Sequence, residues 1–451
     1  MIRGIYWGLL LLAVLFFPAS IQSCSKQKQE NTSQNEMAGT FSFTQKPSSD
    51  IVFLSTQLNP VEESWKMRNV ILKDFPGNVD FRPNDNAFLM DLLSSELKKN
   101  SSSSILIGAL HGDLMNLYEQ NALQPLDSLY SSLKARGFAK NYIDLSKFNG
   151  KDMFYIPWMQ ASFVMVANKK ALPYLPKGAD LNSLTYDQLY AWAKTIYEKT
   201  NKKMLGFPAG EKGLMHRFFQ GYLYPSYTGS TLLKFKSPAA VKMWDYFKEL
   251  WKYVQPSSLV YSTMSDPLLI DDVWIAWDHT ARLVKVLQER LDDFVVFPAP
   301  IGPQGRGFLA VISGLSLPKD QSKNMDAAML IDYLTRPAIQ ERTLSETGFF
   351  PVTDSATSNE IPTYLKNLNR AVDIQLKSKQ SILTLMPIGL GQETNDYNNY
   401  FMLTFSGIVL ENRDVMDVLK ENAAKLQRIL DNENAKCWLP DKSDLRPCKI
   451  E

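Results

Sequence analysis

Short apolar runs alternate with helical-period stretches along the first third of this chain. Residues 51–55, 79–82 and 105–110 have the length and apolar content of strands. Residues 62–75, 88–98 and 114–120 repeat apolar side chains at helical spacing, with Trp65, Val70, Ile71 and Phe75 on the first of them. Strands separated by helices build a parallel or mixed sheet covered by helices, because a parallel connection must cross over the sheet. Further strands are expected at 153–157, 163–167, 273–276 and 309–313, the last ending at Gly314. Later helices announce their starts. Thr185 and Gln188 form a capping box, Ser237-Pro238 supplies an N-cap and a first-turn proline, and Asp414 caps a final amphipathic helix. Val241, Trp244, Phe247 and Trp251 read as the core face of the helix after Ser237. The expected fold class is α/β.

At 451 residues the chain is long enough for about two domains, and at 45% hydrophobic it can bury a substantial core. Its formal charge of +2 gives no reason to expect a nucleic acid partner. Three histidines and no metal-ligand spacing argue against a zinc site, and no cofactor is implied.

The N-terminus reads as an export signal over 1–23. Arg3 precedes an apolar stretch from Ile5 to Phe17, which is shorter than the roughly 20 residues of a membrane span. Ile21-Gln22-Ser23 followed by Cys24 resembles the lipobox of bacterial lipoproteins, so Cys24 is expected to carry lipid and tether the mature protein to a membrane outside the cytoplasm. Residues 24–49 are polar and rich in Ser, Gln and Asn, as a flexible tether would be. The other two cysteines, Cys437 and Cys448, lie in a loop-rich tail at 431–451, and an oxidising compartment favours a disulfide between them.

Several segments, in order, resemble the family 1 extracellular solute-binding proteins, the receptors of sugar-importing ABC transporters. They include LYEQNALQPLDSL, NGKDMFYIPWMQASFVMVANKKAL, SLTYDQLYAWAKTI, FPAPIGPQGRG, NMDAAMLIDYL and ETGFFPVT. The resemblance covers about residues 50–430; the cysteine tail is an addition to the family pattern, and Trp274 and Trp277 stand where smaller residues are usual. It implies a two-lobed periplasmic-binding-protein-like fold with crossing hinge segments. One lobe would hold 50–162 plus 312–350 and the other 163–311 plus 351–430, with a ligand cleft between them. It also implies a small-molecule solute, in first place a sugar, and ABC transporter permease subunits as partners.

In α/β sheets ligands gather beyond the carboxyl ends of strands. That rule nominates Gln57, His111, Gln160, Asp278, His279 and Ser313 as polar contacts, and Trp158 and Trp277 as rings for the C–H faces of a sugar. His279 would alternatively cap a helix. Trp277, three residues after Trp274, would alternatively be core. Tyr222, Tyr224, Tyr227, Tyr397 and Tyr400 are further candidates for the far side. A glycoside hydrolase needs two carboxylates across a cleft. Asp271, Asp272 and Asp278 instead cluster on one segment, and no GxSxG, HExxH or P-loop pattern is present. Binding without catalysis is therefore the leading expectation. A receptor for a non-sugar solute such as a polyamine is the alternative, and an exported hydrolase the more distant one.

Overall fold

The computed structural model describes residues 46–57, 61–85, 88–99, 102–319, 324–353, 361–442 and 446–451. Cys24, the leader and nearly all of the tether lie outside the described residues. Ten strands form two sheets: β1 (Ile51–Ser55), β2 (Val79–Pro83), β3 (Ser104–Leu110), β4 (Ile156–Ala161), β5 (Phe163–Asn168), β6 (Leu205–Gly206), β7 (Ile275–His279), β8 (Phe294–Phe297), β9 (Arg306–Ser316) and β10 (Ser381–Leu385).

The first sheet runs β10-β9-β3-β1-β2, with β4 also paired to β9. β1 is parallel to both β2 and β3, and every residue of β1 is buried, as expected for a parallel strand covered on both faces. The second sheet runs β6-β7-β5-β8, with β5 antiparallel to both neighbours. The architecture is mixed α/β and two-lobed, and the chain passes from one sheet to the other between β4 and β5. β4 belongs to the first sheet and β5 to the second, with only Ser162 between them. In β9, Arg306–Ala310 pair with β10, whereas Val311–Ser316 pair with β4 and β3.

The expected caps are made. The Thr185 hydroxyl accepts from Gln188 N at 3.2 Å while the Gln188 side chain accepts from Thr185 N at 3.0 Å. Ser237 accepts from Ala240 N and Asp414 from Asp417 N. On the helix Pro238–Trp251, Trp244 and Phe247 are fully buried, and Val241 and Trp251 pack half-buried beside them.

Four local expectations need correction. The helix expected over 62–75 is α-helical only over Val61–Lys66 and continues as a π-helical turn over Met67–Ile71. That turn changes the phase of the apolar face, so Met67 and Ile71 are buried while Trp65 is 61% exposed. The strand expected at 153–157 lies at Ile156–Ala161, and the one expected at 273–276 lies at Ile275–His279. Both are nearly continuous apolar runs, which carry no alternation to fix their ends. The strand expected to stop at Gly314 continues to Ser316. Gly314 sits against the Tyr155 ring, and a Cβ there would collide with it, so this glycine permits close packing rather than ending a strand.

Candidate functional site

The strand shifts change the setting of most nominated side chains. Trp158 and Gln160 lie inside β4, and Trp277 and Asp278 inside β7, not in loops beyond the strands. Trp158 is fully buried beside Phe53, with centroids 5.5 Å apart. Trp277 is fully buried and stacks on Phe163 at 4.6 Å with the planes 3° apart, while Phe218 and Tyr222 meet it edge-on. Protein covers these rings in this arrangement. The Gln160 amide donates to Pro351 O at 2.9 Å, and its carbonyl oxygen accepts from the Tyr142 hydroxyl. Asp278 is wholly buried, and burial pushes its carboxyl up to about 6. It accepts from the backbone N–H groups of Met264 and His279, each at 2.7 Å. His279 is the N-cap of the helix Thr280–Glu289, its Nδ1 accepting from Ala281 N at 3.3 Å. Gln57 reaches Ser313 Oγ at 3.3 Å, bringing those two nominated residues together. Tyr222, Tyr224 and Tyr397 are fully buried, and Tyr227 and Tyr400 half-buried.

His111 is placed differently. It opens the helix His111–Glu119 directly after β3, and it borders a cavity of about 690 Å³. That volume falls in the roughly 300–1,000 Å³ range of small-molecule sites. One wall comes from this helix, the helix Lys140–Leu145 and the turn at Phe148 and Asn149. The opposite wall is β10 with Ile388 and the chain segment 433–442. The floor is apolar: Leu145, Phe148, Leu385 and Trp438 are buried, and Leu383 and Ile388 are half-buried. Phe148 stacks on Tyr118 at 4.9 Å and lies 5.3 Å from the His111 ring.

Polar groups crown that floor. Asn116, Asn141, Asn149 and Asn434 border the cavity and are exposed, and among the described residues none has a side-chain hydrogen bond. His111 Nδ1 shares a hydrogen bond of 2.9 Å with the Tyr155 hydroxyl, and Nε2 has no protein partner. Burial lowers the ring to about 4, so it is neutral at pH 7.

The segment 433–442 is tied down from several sides. A disulfide joins Cys437 to Cys448, and Cys448 N donates to Ala435 O at 2.8 Å. Leu385 N at the end of β10 donates to Leu439 O at 3.0 Å. Asp441 is 3% exposed and accepts from Thr231 N, Leu232 N and the Ser230 hydroxyl. Across the cavity mouth, Lys436 Nζ meets Glu119 Oε1 at 2.7 Å.

Sequence reasoning reached His111 through the strand-end rule but missed the four asparagines, Phe148 and Trp438. A partial signal existed: Asn149 and Asn434 adopt positive φ, +66° and +49°, the left-handed region that asparagine tolerates in turns. Among the described residues no group of three His, Cys, Asp or Glu side chains is arranged to hold a metal, and no helix is long and apolar enough to cross a membrane.

A search of curated proteins found no match. Solved structures match widely. The sugar-binding protein MalE of Xanthomonas citri superposes with a TM-score of 0.66 at 14% identity, covering 85% of this chain and 98% of that one. UgpB of Mycobacterium tuberculosis, solved with glycerophosphocholine, gives 0.62 at 18% identity over 86% and 99%. The GacH receptor of Streptomyces glaucescens, solved unliganded and with acarbose, gives 0.61 at 15% identity over 85% and 99%. At these identities the likeness concerns the fold. The family model for bacterial extracellular solute-binding proteins matches residues 78–368, well over half of the chain. With strands, lobes and sequence in agreement, the chain belongs to the bacterial extracellular solute-binding proteins.

Proposed function

We propose that this receptor captures a carbohydrate, a mono- or oligosaccharide, in the cavity bordered by His111, and that its lobes close on the sugar and hand it to ABC permease subunits. The observation that carries the reading is the pairing of an apolar floor with a rim of unpartnered carboxamides. A sugar offers C–H faces to the first and hydroxyls to the second. Asparagine suits the task because each carboxamide both donates and accepts. The lobes are taken as 50–162 plus 312–350 and 163–311 plus 351–430, with hinge bending at the segments that join them. Cys24 would carry the lipid that keeps the receptor near its transporter. The protein acts by binding, without turnover.

One observation favours a second reading. Glu433 and Lys442 border the cavity, are exposed, and have no ion-pair partner among the described residues. A polyamine or zwitterionic solute would use such charges. A thermal-shift screen of the full chain against maltotriose, N,N′-diacetylchitobiose, galactose, spermidine and glycerophosphocholine separates the two, since a ligand at 100 times its Kd stabilises by about 2.7 kcal/mol. A rise in Tm with a sugar alone supports the carbohydrate reading. A rise with spermidine or glycerophosphocholine alone overturns it, and release of smaller sugars during incubation overturns the reading as a receptor.

A further inference from the structure

The segment 433–442 follows the last helix and adds a wall that the two-sheet framework does not need. Apart from the Lys436–Glu119 pair across the mouth, its anchors are on its own side of the cavity. Asp441 holds Ser230, Thr231 and Leu232; Leu439 bonds the end of β10; and the Gln427 side chain donates to Cys448 O at 3.0 Å. The Cys437–Cys448 disulfide closes the loop on itself. A surface loop held by this many bonds is pre-organised, so little ordering entropy opposes a ligand that touches it.

Part of the charge around the cavity is paired, whereas Glu433 and Lys442, at the two ends of the segment, have no ion-pair partner among the described residues. Lys436 is paired with Glu119, Asp144 with Lys140, and the Asp441 carboxylate is used up on Ser230, Thr231 and Leu232. The neutral polar groups are free: Asn434 on the tail faces the same cavity as Asn116, Asn141 and Asn149, and its carboxamide has no side-chain bond among the described residues. Trp438, 5% exposed, adds its remaining edge to the floor, its other side held by Tyr397 at 5.6 Å.

We propose that the disulfide-closed C-terminal segment is the selecting wall of the site, that its ligand class is a neutral oligosaccharide, and that Asn434 and Trp438 are the specificity-determining residues. Asn434 reads hydroxyls that a carboxamide can both donate to and accept from, while Trp438 limits how deep a sugar ring sits. The disulfide keeps both in register with His111 and Asn149 on the facing wall. This rests on the carbohydrate reading above.

The test is titration calorimetry of the full chain with maltotriose, cellotriose and N,N′-diacetylchitobiose. Asn434→Ala removes an exposed side chain from a position of positive φ, so Asn434→Gly, which relieves the backbone strain, is measured beside it and is expected to show the same loss. For Asn434→Ala the expected effect is a loss of about tenfold in affinity for the preferred sugar, the worth of a ligand hydrogen bond, together with a changed ranking of the three sugars. Trp438→Phe is expected to change the ranking with a smaller loss. The double variant Cys437→Ser, Cys448→Ser is expected to weaken binding at least tenfold while circular dichroism stays native. If the wild type binds a sugar and Asn434→Ala leaves both Kd and ranking unchanged, the tail assignment is overturned and the carbohydrate reading stands. If the wild type binds galactose but none of the three, the oligosaccharide assignment is overturned and the carbohydrate reading stands; if it binds no sugar at all, both fall.

Discussion

The two walls of the cleft are built by different rules. The wall that starts at His111 follows a strand of the parallel sheet, where the carboxyl ends of strands open into loops and ligands gather. The facing segment, 433–442, follows the last helix and is held by a disulfide, a buried carboxylate and one backbone bond to β10. One wall is a property of the fold and the other an addition to it. A receptor of this kind can keep its framework and change its selectivity by altering the addition.

If that contrast is right, the added wall fails when its anchors fail, and the framework wall does not. The largest effect is expected at Asp441. Asp441→Ala strands the buried donors at Ser230, Thr231 and Leu232 and should cost about 3 kcal/mol in denaturant unfolding. An effect below about 1 kcal/mol would mean that the segment is not held as described. The disulfide comes next. Cys437 and Cys448 are 11 residues apart, so chain-entropy reasoning puts the loss on replacing both by serine at up to about 3 kcal/mol. The His111 side of the cavity should stay folded in that variant, as hydrogen exchange of residues 111–119 would report.

The framework wall can be tested by pH. All three histidines of the chain are pushed down by burial, His111 and His279 to about 4 and His216 to about 3, with nearby Arg282 adding to the effect on the last two. An unfolded histidine titrates near 6.5. Below that pH the unfolded chain takes up protons that the folded chain refuses, so stability is full above about 6.5 and is lost as pH falls toward 4. Asp278 opposes this: its folded value of about 6 makes the folded chain bind an extra proton between about 6 and 3.8. Asp441, also raised by burial, opposes it in the same sense; the three histidines outweigh the two carboxyls, and the Tm should fall between pH 7 and pH 5. His111 alone accounts for about 2 kcal/mol of that at pH 5, so His111→Gln should flatten the profile. A flat wild-type profile would contradict the buried setting of His111. The smallest effect belongs to Glu119 and Lys436, which link the two walls. The pair is partly exposed, and a double-mutant cycle should return no more than about 1 kcal/mol, shrinking with added salt.

The legible part of the molecule is the part that periodicity and capping determine. Residues 51–55 read as a strand because every one of them is apolar or small and buried, and Thr185, Ser237 and Asp414 start their helices as their side chains require. The site was less legible, for two physical reasons. β4 and β7 are buried on both faces, so their ends carry no alternation, and a shift of a few residues turned Trp158 and Trp277 from loop residues into core. The asparagines of the rim sit in three separate stretches of chain, and only the fold brings Asn116, Asn149 and Asn434 to one cavity. Two of the strand-end nominations show the same limit. Asp278 satisfies backbone donors, and His279 caps a helix, each using the side chain within the protein.

The central claim is that the solute binds between these two walls. Hydrogen exchange of the full chain, measured with and without a saturating sugar from the thermal-shift screen, tests it most directly. The account predicts added protection at residues 111–119, 141–149 and 433–442 together. Protection confined to other segments, with both walls exchanging as in the free protein, would contradict it.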